Sequence, residues 1–277
     1  MHAALVIVLL AALGAPAAPL DDARQLYNKA QFDQAIRALQ GDTSAAALQL
    51  QGQSWFLLGE FKKATDAFDK ALEQNANNSE LNAWAGRAYG RRAETGNPLA
   101  APRYASKARQ FFERAVQLDP RNVEAMNDLF EYYLQAPGFL GGGKDKAVRM
   151  AAQIAALDKA EGHFANARMA EENKDYAGAE KSLRLAMEAA PTQVGRVLDL
   201  AKFLAQRGRI DESEAEFAKA EKMAPGQPNV LFARASIYAE GKRNLDTARS
   251  LLRRYLQSPL TPDDPPRYEA ETLLRGL

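Results

Sequence analysis

Along most of the chain, apolar positions fall on helical faces separated by short polar breaks. Between Pro191 and Pro225, 34 residues apart (225 − 191), Val197, Leu200, Ala201 and Leu204 step by 3, 1 and 3, which is one face of a helix. Arg207-Gly208-Arg209-Ile210 interrupts that face, and Phe217 and Ala220 then carry a second one up to the proline. Pro120, Pro191 and Pro225 each close an amphipathic segment. A proline lacks a main-chain N–H and stops a helix. The pattern predicts pairs of helices repeated down the chain, and a repeat of this period is the signature of a solenoid.

Further units carry the same marks: Gly52, Gly59, Phe61, Ala64, Phe68 and Ala71; Gly86, Tyr89, Ala108, Phe112, Ala115 and Pro120; a divergent Ala147 and Ile154; Tyr176, Ala179, Leu183, Ala186 and Pro191; Ala201, Gly208, Phe217, Ala220 and Pro225; and Ala235, Tyr238, Ala248, Leu252 and Tyr255. Phe32, Ala35 and Leu39 read as the end of a degenerate first unit. On these residues the chain resembles the tetratricopeptide-repeat (TPR) family over roughly residues 20–260. The resemblance implies an all-α fold, a right-handed α-solenoid of about six helix pairs plus a degenerate first pair. Gly52 against Ala64 reads as a close crossing within one unit. Solenoid units share one continuous core, so the last needs a cover. Beyond Pro265-Pro266, Ala270, Leu273, Leu274 and Leu277 form a single stripe, which predicts a capping helix over 266–277, with the solenoid over 18–265.

Two units depart from the pattern. Residues 94–103 add about ten residues between the two helices of one unit, and 136–143 add about five in the next. The second, Pro137-Gly138-Phe139-Leu140-Gly141-Gly142, resembles a Pro-Gly-x-x-Gly-Gly insertion of secreted bacterial repeat proteins. Insertions in a solenoid fall on one face, often the binding one. Phe139 and Leu140 therefore mark a candidate edge of a site, or else fold back as packing. Gly138, Gly143 and Lys144 also imitate a phosphate loop, but Asp145 stands where Ser or Thr would hold magnesium, and the preceding segment reads as helix. Nucleotide binding is not expected.

Residues 3–13 are an unbroken apolar run followed by Ala15-Pro16-Ala17. This resembles a secretory signal peptide, 1–17, although no Lys or Arg precedes the apolar core. An uncleaved anchor is the competing reading, but the run is short of the roughly 20 residues a span requires. The expectation is a periplasmic or secreted protein with no membrane insertion after cleavage.

Composition narrows the chemistry. With 36 Lys+Arg against 35 Asp+Glu, nucleic acid is not an expected partner. No cysteine is present, which removes thiolate catalysis, disulfides and Cys-ligated metals. Beyond His2, His163 is the sole histidine, and no nucleophile and orienting group accompany it, so it reads as structural. No catalytic, metal or cofactor residue is assigned.

The resemblance places the first helix of each unit on the concave surface. The face opposite the packing residues carries Gln49, Gln53, Arg87, Arg91, Asn127, Glu131, Arg168, Glu171, Lys202 and Gln206. Arg87 and Arg91 are i, i+4 neighbours whose charges add, and both are expected to stand clear of helix packing. A site for a protein or peptide is expected in the groove at Arg87, Arg91, Asn127 and Glu131, extending to Arg168 and Lys202, beside the Phe139–Leu140 edge. The function implied is a non-enzymatic interaction scaffold. A glycan- or cell-wall-binding module and a carboxylate-dependent hydrolase are the alternatives, marked respectively by open aromatic platforms and by two acids converging in a pocket.

Overall fold

The computed structural model describes residues 19–277, and the proposed signal peptide lies outside them. The described residues form fifteen α-helices and one 3-10 turn. Helices α1 (Pro19–Asn28) and α2 (Phe32–Ala38) make a short first pair. Six longer pairs follow: α3 (Ala45–Leu57) with α4 (Phe61–Gln74), α5 (Ser79–Thr95) with α6 (Ala101–Leu118), and α7 (Val123–Gln135) with α8 (Lys144–Leu157). Then come α9 (Lys159–Glu172) with α10 (Tyr176–Ala189), α11 (Val194–Gln206) with α12 (Ile210–Met223), and α13 (Pro228–Glu240) with α14 (Leu245–Gln257). Helix α15 (Arg267–Gly276) ends the series. The architecture is an α-solenoid.

The second helix of each pair is built on a repeated stripe. In α4, Phe61, Ala64, Phe68 and Ala71 are buried at steps of 3, 4 and 3, and α14 repeats the spacing with Ala248, Leu252 and Tyr255. In α12 the small position is Ser213, whose buried hydroxyl donates to the Ala201 carbonyl of α11 at 2.8 Å. The close crossing at Gly52 has a different partner from the one expected. A Cβ there would lie 2.5 Å from the Phe68 ring, so the aromatic two turns into α4, not Ala64, fills the space the glycine leaves. Gly86 and Phe112 repeat this contact at 2.5 Å in the next unit.

The turn within a pair is also repeated. At Gly59 (φ 77) and Gly208 (φ 76) the chain enters the left-handed region that glycine adopts without strain. The next residue donates back five positions, Glu60 to Trp55 and Arg209 to Leu204, each at 2.9 Å, which satisfies carbonyls at the end of the first helix.

The two insertions behave differently. Half of the first is taken into helix: α5 and α6 have 17 and 18 residues where α3 and α4 have 13 and 14. Only Gly96–Ala100 remains as loop, with Leu99 exposed at its tip. The second forms the 3-10 turn Gly138–Leu140. Tyr132 donates to the Leu140 carbonyl at 2.9 Å, and the Gly143 N–H to Tyr133 at 2.8 Å. Leu140 is drawn in, whereas Phe139 stands out, 83% exposed.

Helix α15 covers the end of the solenoid. Ala270 is fully buried, and Leu273, Leu274 and Leu277 pack on the cluster of Leu231, Tyr238, Leu252 and Tyr255. Arg249 donates to the main-chain oxygen of Leu277. The segment does more than cap. Ala30, from the turn between α1 and α2, packs on the same cluster, and Tyr268 meets Phe61 edge-to-face at 6.3 Å. The solenoid therefore curves until its last element touches its first units.

Candidate functional site

The first helices of the pairs lie side by side and are joined by polar contacts from unit to unit. Gln53 of α3 donates to Glu80 of α5 at 3.1 Å. Arg87 of α5 contacts Asp128 and Glu124 of α7, both at 2.7 Å. Asn127 donates to Glu161 of α9 at 3.1 Å, and Arg168 of α9 returns to Glu131 at 3.0 Å while also holding Glu171. Arg196 of α11 meets Glu161 at 2.8 Å. The sequence placed most of these side chains on one face, and the structure does bring them into line. It also shows that their charges are spent on each other.

Arg87 is the clearest departure. Its side chain is 17% exposed and wedged between two helices, with Trp84 beneath the guanidinium at 5.0 Å, so it does not stand clear of packing. Asp128 is 22% exposed, and burial pushes its carboxyl up to about 6 against the opposing pull of Arg87. The hydrogen bonds that Arg168 donates to Glu131 lead the effects that raise its guanidinium. Arg91 is more open at 36%, lies over the Phe61 ring at 5.1 Å, and pairs with Glu94 at 2.7 Å.

A cavity of about 440 Å³ opens between α5, α6, α7 and the second insertion. Gly90, Ala105, Ala108, Phe112 and Leu140 give it apolar walls, and Arg91, Glu94, Glu131 and Gln135 supply polar groups. A Cβ added at Gly90 would meet nothing within 4 Å. Of the residues singled out from sequence, Arg87, Arg91, Glu131 and Leu140 meet here. Asn127 faces the next unit instead. Lys202 borders a separate hollow of about 230 Å³ with Asp199, Phe232 and Pro265. Gln206 is exposed on α11, and Phe139 points away from the cavity wall.

Asp128 and Glu131 both border the cavity, the convergence of acids that a hydrolase requires. Each is committed: Asp128 to Arg87, Glu131 to Arg168 and to Gln135 at 2.8 Å. A general acid needs a proton that can reach a substrate, and these carboxylates are held as ion-pair acceptors. The nearby aromatic rings pack on one another, Phe56 edge-to-face with both Phe61 and Trp84 at 5.5 Å. Sequence reasoning missed Asp128, Tyr132, Tyr268 and Glu269. The 3-10 insertion beside Tyr132 was its one signal.

A tetratricopeptide-repeat family model matches residues 170–237. Solved structures align over more of the chain. A tetratricopeptide-repeat protein from Parabacteroides merdae is 13% identical, covering 93% of this chain and 96% of its own, with a TM-score of 0.60. A thermophilic TPR protein of Thermus thermophilus is 21% identical, covering 67% and 97%, with a TM-score of 0.55. The human IFIT1 dimer with PPP-AAAA is 17% identical, covering 86% and 54%, with a TM-score of 0.55. No curated protein matches. The chain has the fold of a TPR α-solenoid. Among the described residues, no helix is long and apolar enough to cross a membrane.

Proposed function

We propose that this solenoid is a non-enzymatic scaffold that binds a protein or peptide segment along its inner face. An apolar side chain of the partner sits in the cavity between α5, α6 and α7. The observation that carries this reading is the cavity itself: apolar walls, polar groups beside them, and a helical glycine whose missing side chain leaves the space open. Paired charges around such a site set register and specificity more than affinity. The apolar run at 3–13 and Ala15-Pro16-Ala17 support a periplasmic or secreted location.

The test is to fill the cavity without touching the core. Gly90→Leu projects into open space and removes a helix-interior glycine, so the variant is expected to fold at least as well as the parent. Peptides selected from a random display library on the parent protein should carry an apolar anchor and lose at least about tenfold in affinity for Gly90→Leu, or about 1.4 kcal/mol. Peptides that bind both proteins equally, yet are blocked by substitution at Lys202, place the site in the other half of the molecule.

A further inference from the structure

A helix that only capped the last unit would need one buried stripe, and α15 has it in Ala270, Leu273, Leu274 and Leu277. Its other contacts reach across to the first units. The Tyr268 ring lies against Phe61 and over the turn at Gly59, where a Cβ would approach it at 3.3 Å. Glu269 faces Arg91 at 3.9 Å and accepts from the Tyr268 hydroxyl at 3.1 Å. Pro265, just before the helix, borders the hollow between α11 and α13. The segment is thus a strap across the inner face, not simply a lid on one end.

The strap is loosely seated where it meets the first units. An ion pair at 3.9 Å with side chains 36% and 39% exposed contributes little. Grooves open to solvent flank the strap on both sides: about 510 Å³ between it, α2 and α3, and about 750 Å³ between Arg91, α13 and α15. Arg91 belongs both to the strap contact and to the anchor cavity.

We propose that Tyr268 and Glu269 are an internal occupant of a recognition site formed by Gly59, Phe61 and Arg91, and that the segment bound by this scaffold presents an aromatic residue followed by an acidic one and displaces the strap. This rests on the reading of the inner face as a peptide site. The ring of the incoming aromatic fits the glycine turn, where any side chain would intrude. Its acidic neighbour takes the one arginine of the Arg87–Arg91 pair that is not locked between helices. The intrinsic affinity of the site is masked by the fraction of molecules in which the strap is seated.

A labelled peptide of residues 265–277 tests this by fluorescence anisotropy on the full chain. Tyr268→Ala/Glu269→Ala protein should bind it at least about tenfold more tightly than the parent protein. Adding Arg91→Glu should abolish that binding, and a peptide carrying Glu269→Lys should restore it. If the double variant melts early, Glu269→Lys alone, at a half-exposed position outside the apolar stripe, serves as the unmasked protein. Equal affinity of parent and variant, or indifference to replacing the peptide's tyrosine with alanine, overturns the proposal. A display-selected peptide that is lost on Gly90→Leu but binds the parent and the strap variants equally leaves the binding reading intact and removes the strap from it.

Discussion

A methyl group added at Gly86 would lie 2.5 Å from the Phe112 ring, whereas one added at Gly90, a turn further along α5, would meet nothing. The two glycines therefore respond oppositely to the same change. Gly86→Ala, like Gly52→Ala, is expected to cost about 1–3 kcal/mol through overpacking. Gly90→Ala should stabilise by about 0.5–1 kcal/mol through helix propensity. Urea midpoints of the variants check this, and a neutral Gly86→Ala would mean that the ring swings aside freely. Helical spacing in the sequence located Gly52 as the small residue of its crossing. It could not tell which α4 side chain fills the gap, because that depends on the rotamer and axial offset of the facing helix. Asp128 adds a second residue-scale outcome. Its folded pKa of about 6 lies above the ordinary 3.8, so the folded state holds that proton more tightly than the unfolded state. The resulting stability is present below about pH 4 and is lost as pH rises through 6. Asp128→Asn should flatten this part of the pH profile by an amount of order 2 kcal/mol between pH 4 and 7. Parallel profiles for the two proteins would show that the carboxyl titrates normally.

At the scale of helices, neighbouring units are held by apolar stripes on one side and by a ladder of charges on the other. The stripes were legible in the sequence, since each is a local pattern of steps of 3 and 4. The ladder was half legible. Arg87 and Arg91 could be placed on the inner face, but the acids that hold Arg87 stand on another helix, Asp128 being 41 positions away. Charge pairing at that distance depends on how the units stack, and one sequence does not encode it as a pattern. The consequence for Arg87 is concrete. Replacing it with Ala leaves Asp128 mostly buried without its partner, and breaking a buried pair costs about 3–5 kcal/mol. With the two side chains 17% and 22% exposed, about 3 kcal/mol is expected. Reversal to Glu would set a third carboxylate against Asp128 and Glu124 and should be worse. Arg91→Ala, at a more open position, should cost under about 1 kcal/mol. Thermal melts of the three variants give the order directly. Similar midpoints for Arg87→Ala and Arg91→Ala would mean that the Arg87 pair contributes nothing across the α5–α7 junction. The first insertion shows the same limit: its length was readable, but its conversion into extra turns of α5 and α6 was not.

For the molecule as a whole, a solenoid is ordinarily one-dimensional, each unit stabilised only by its neighbours. This chain departs from that because its last element touches its first units through Tyr268, Phe61 and Arg91. The departure could not be read from the repeats. The stripe on α15 announces a cap, but the meeting of the ends is the sum of small rotations between successive pairs, and no residue signals that sum. The two arrangements make different predictions for Tyr268→Ala in the full chain. If α15 were a cap alone, losing an aromatic outside its buried stripe would raise amide exchange only in α13, α14 and α15 themselves. If it is a strap, exchange should also rise around the Gly59 turn and in α4 and α5, some 170–210 positions earlier in the sequence. The intervening helices α8 to α10, which α15 does not touch, should be unchanged. Local opening of this kind reports the free energy of each segment separately, so one exchange experiment reads all three regions. Exchange that rises in α13 to α15 and nowhere else would show that closure contributes nothing to the first units and that the molecule is an open solenoid in solution.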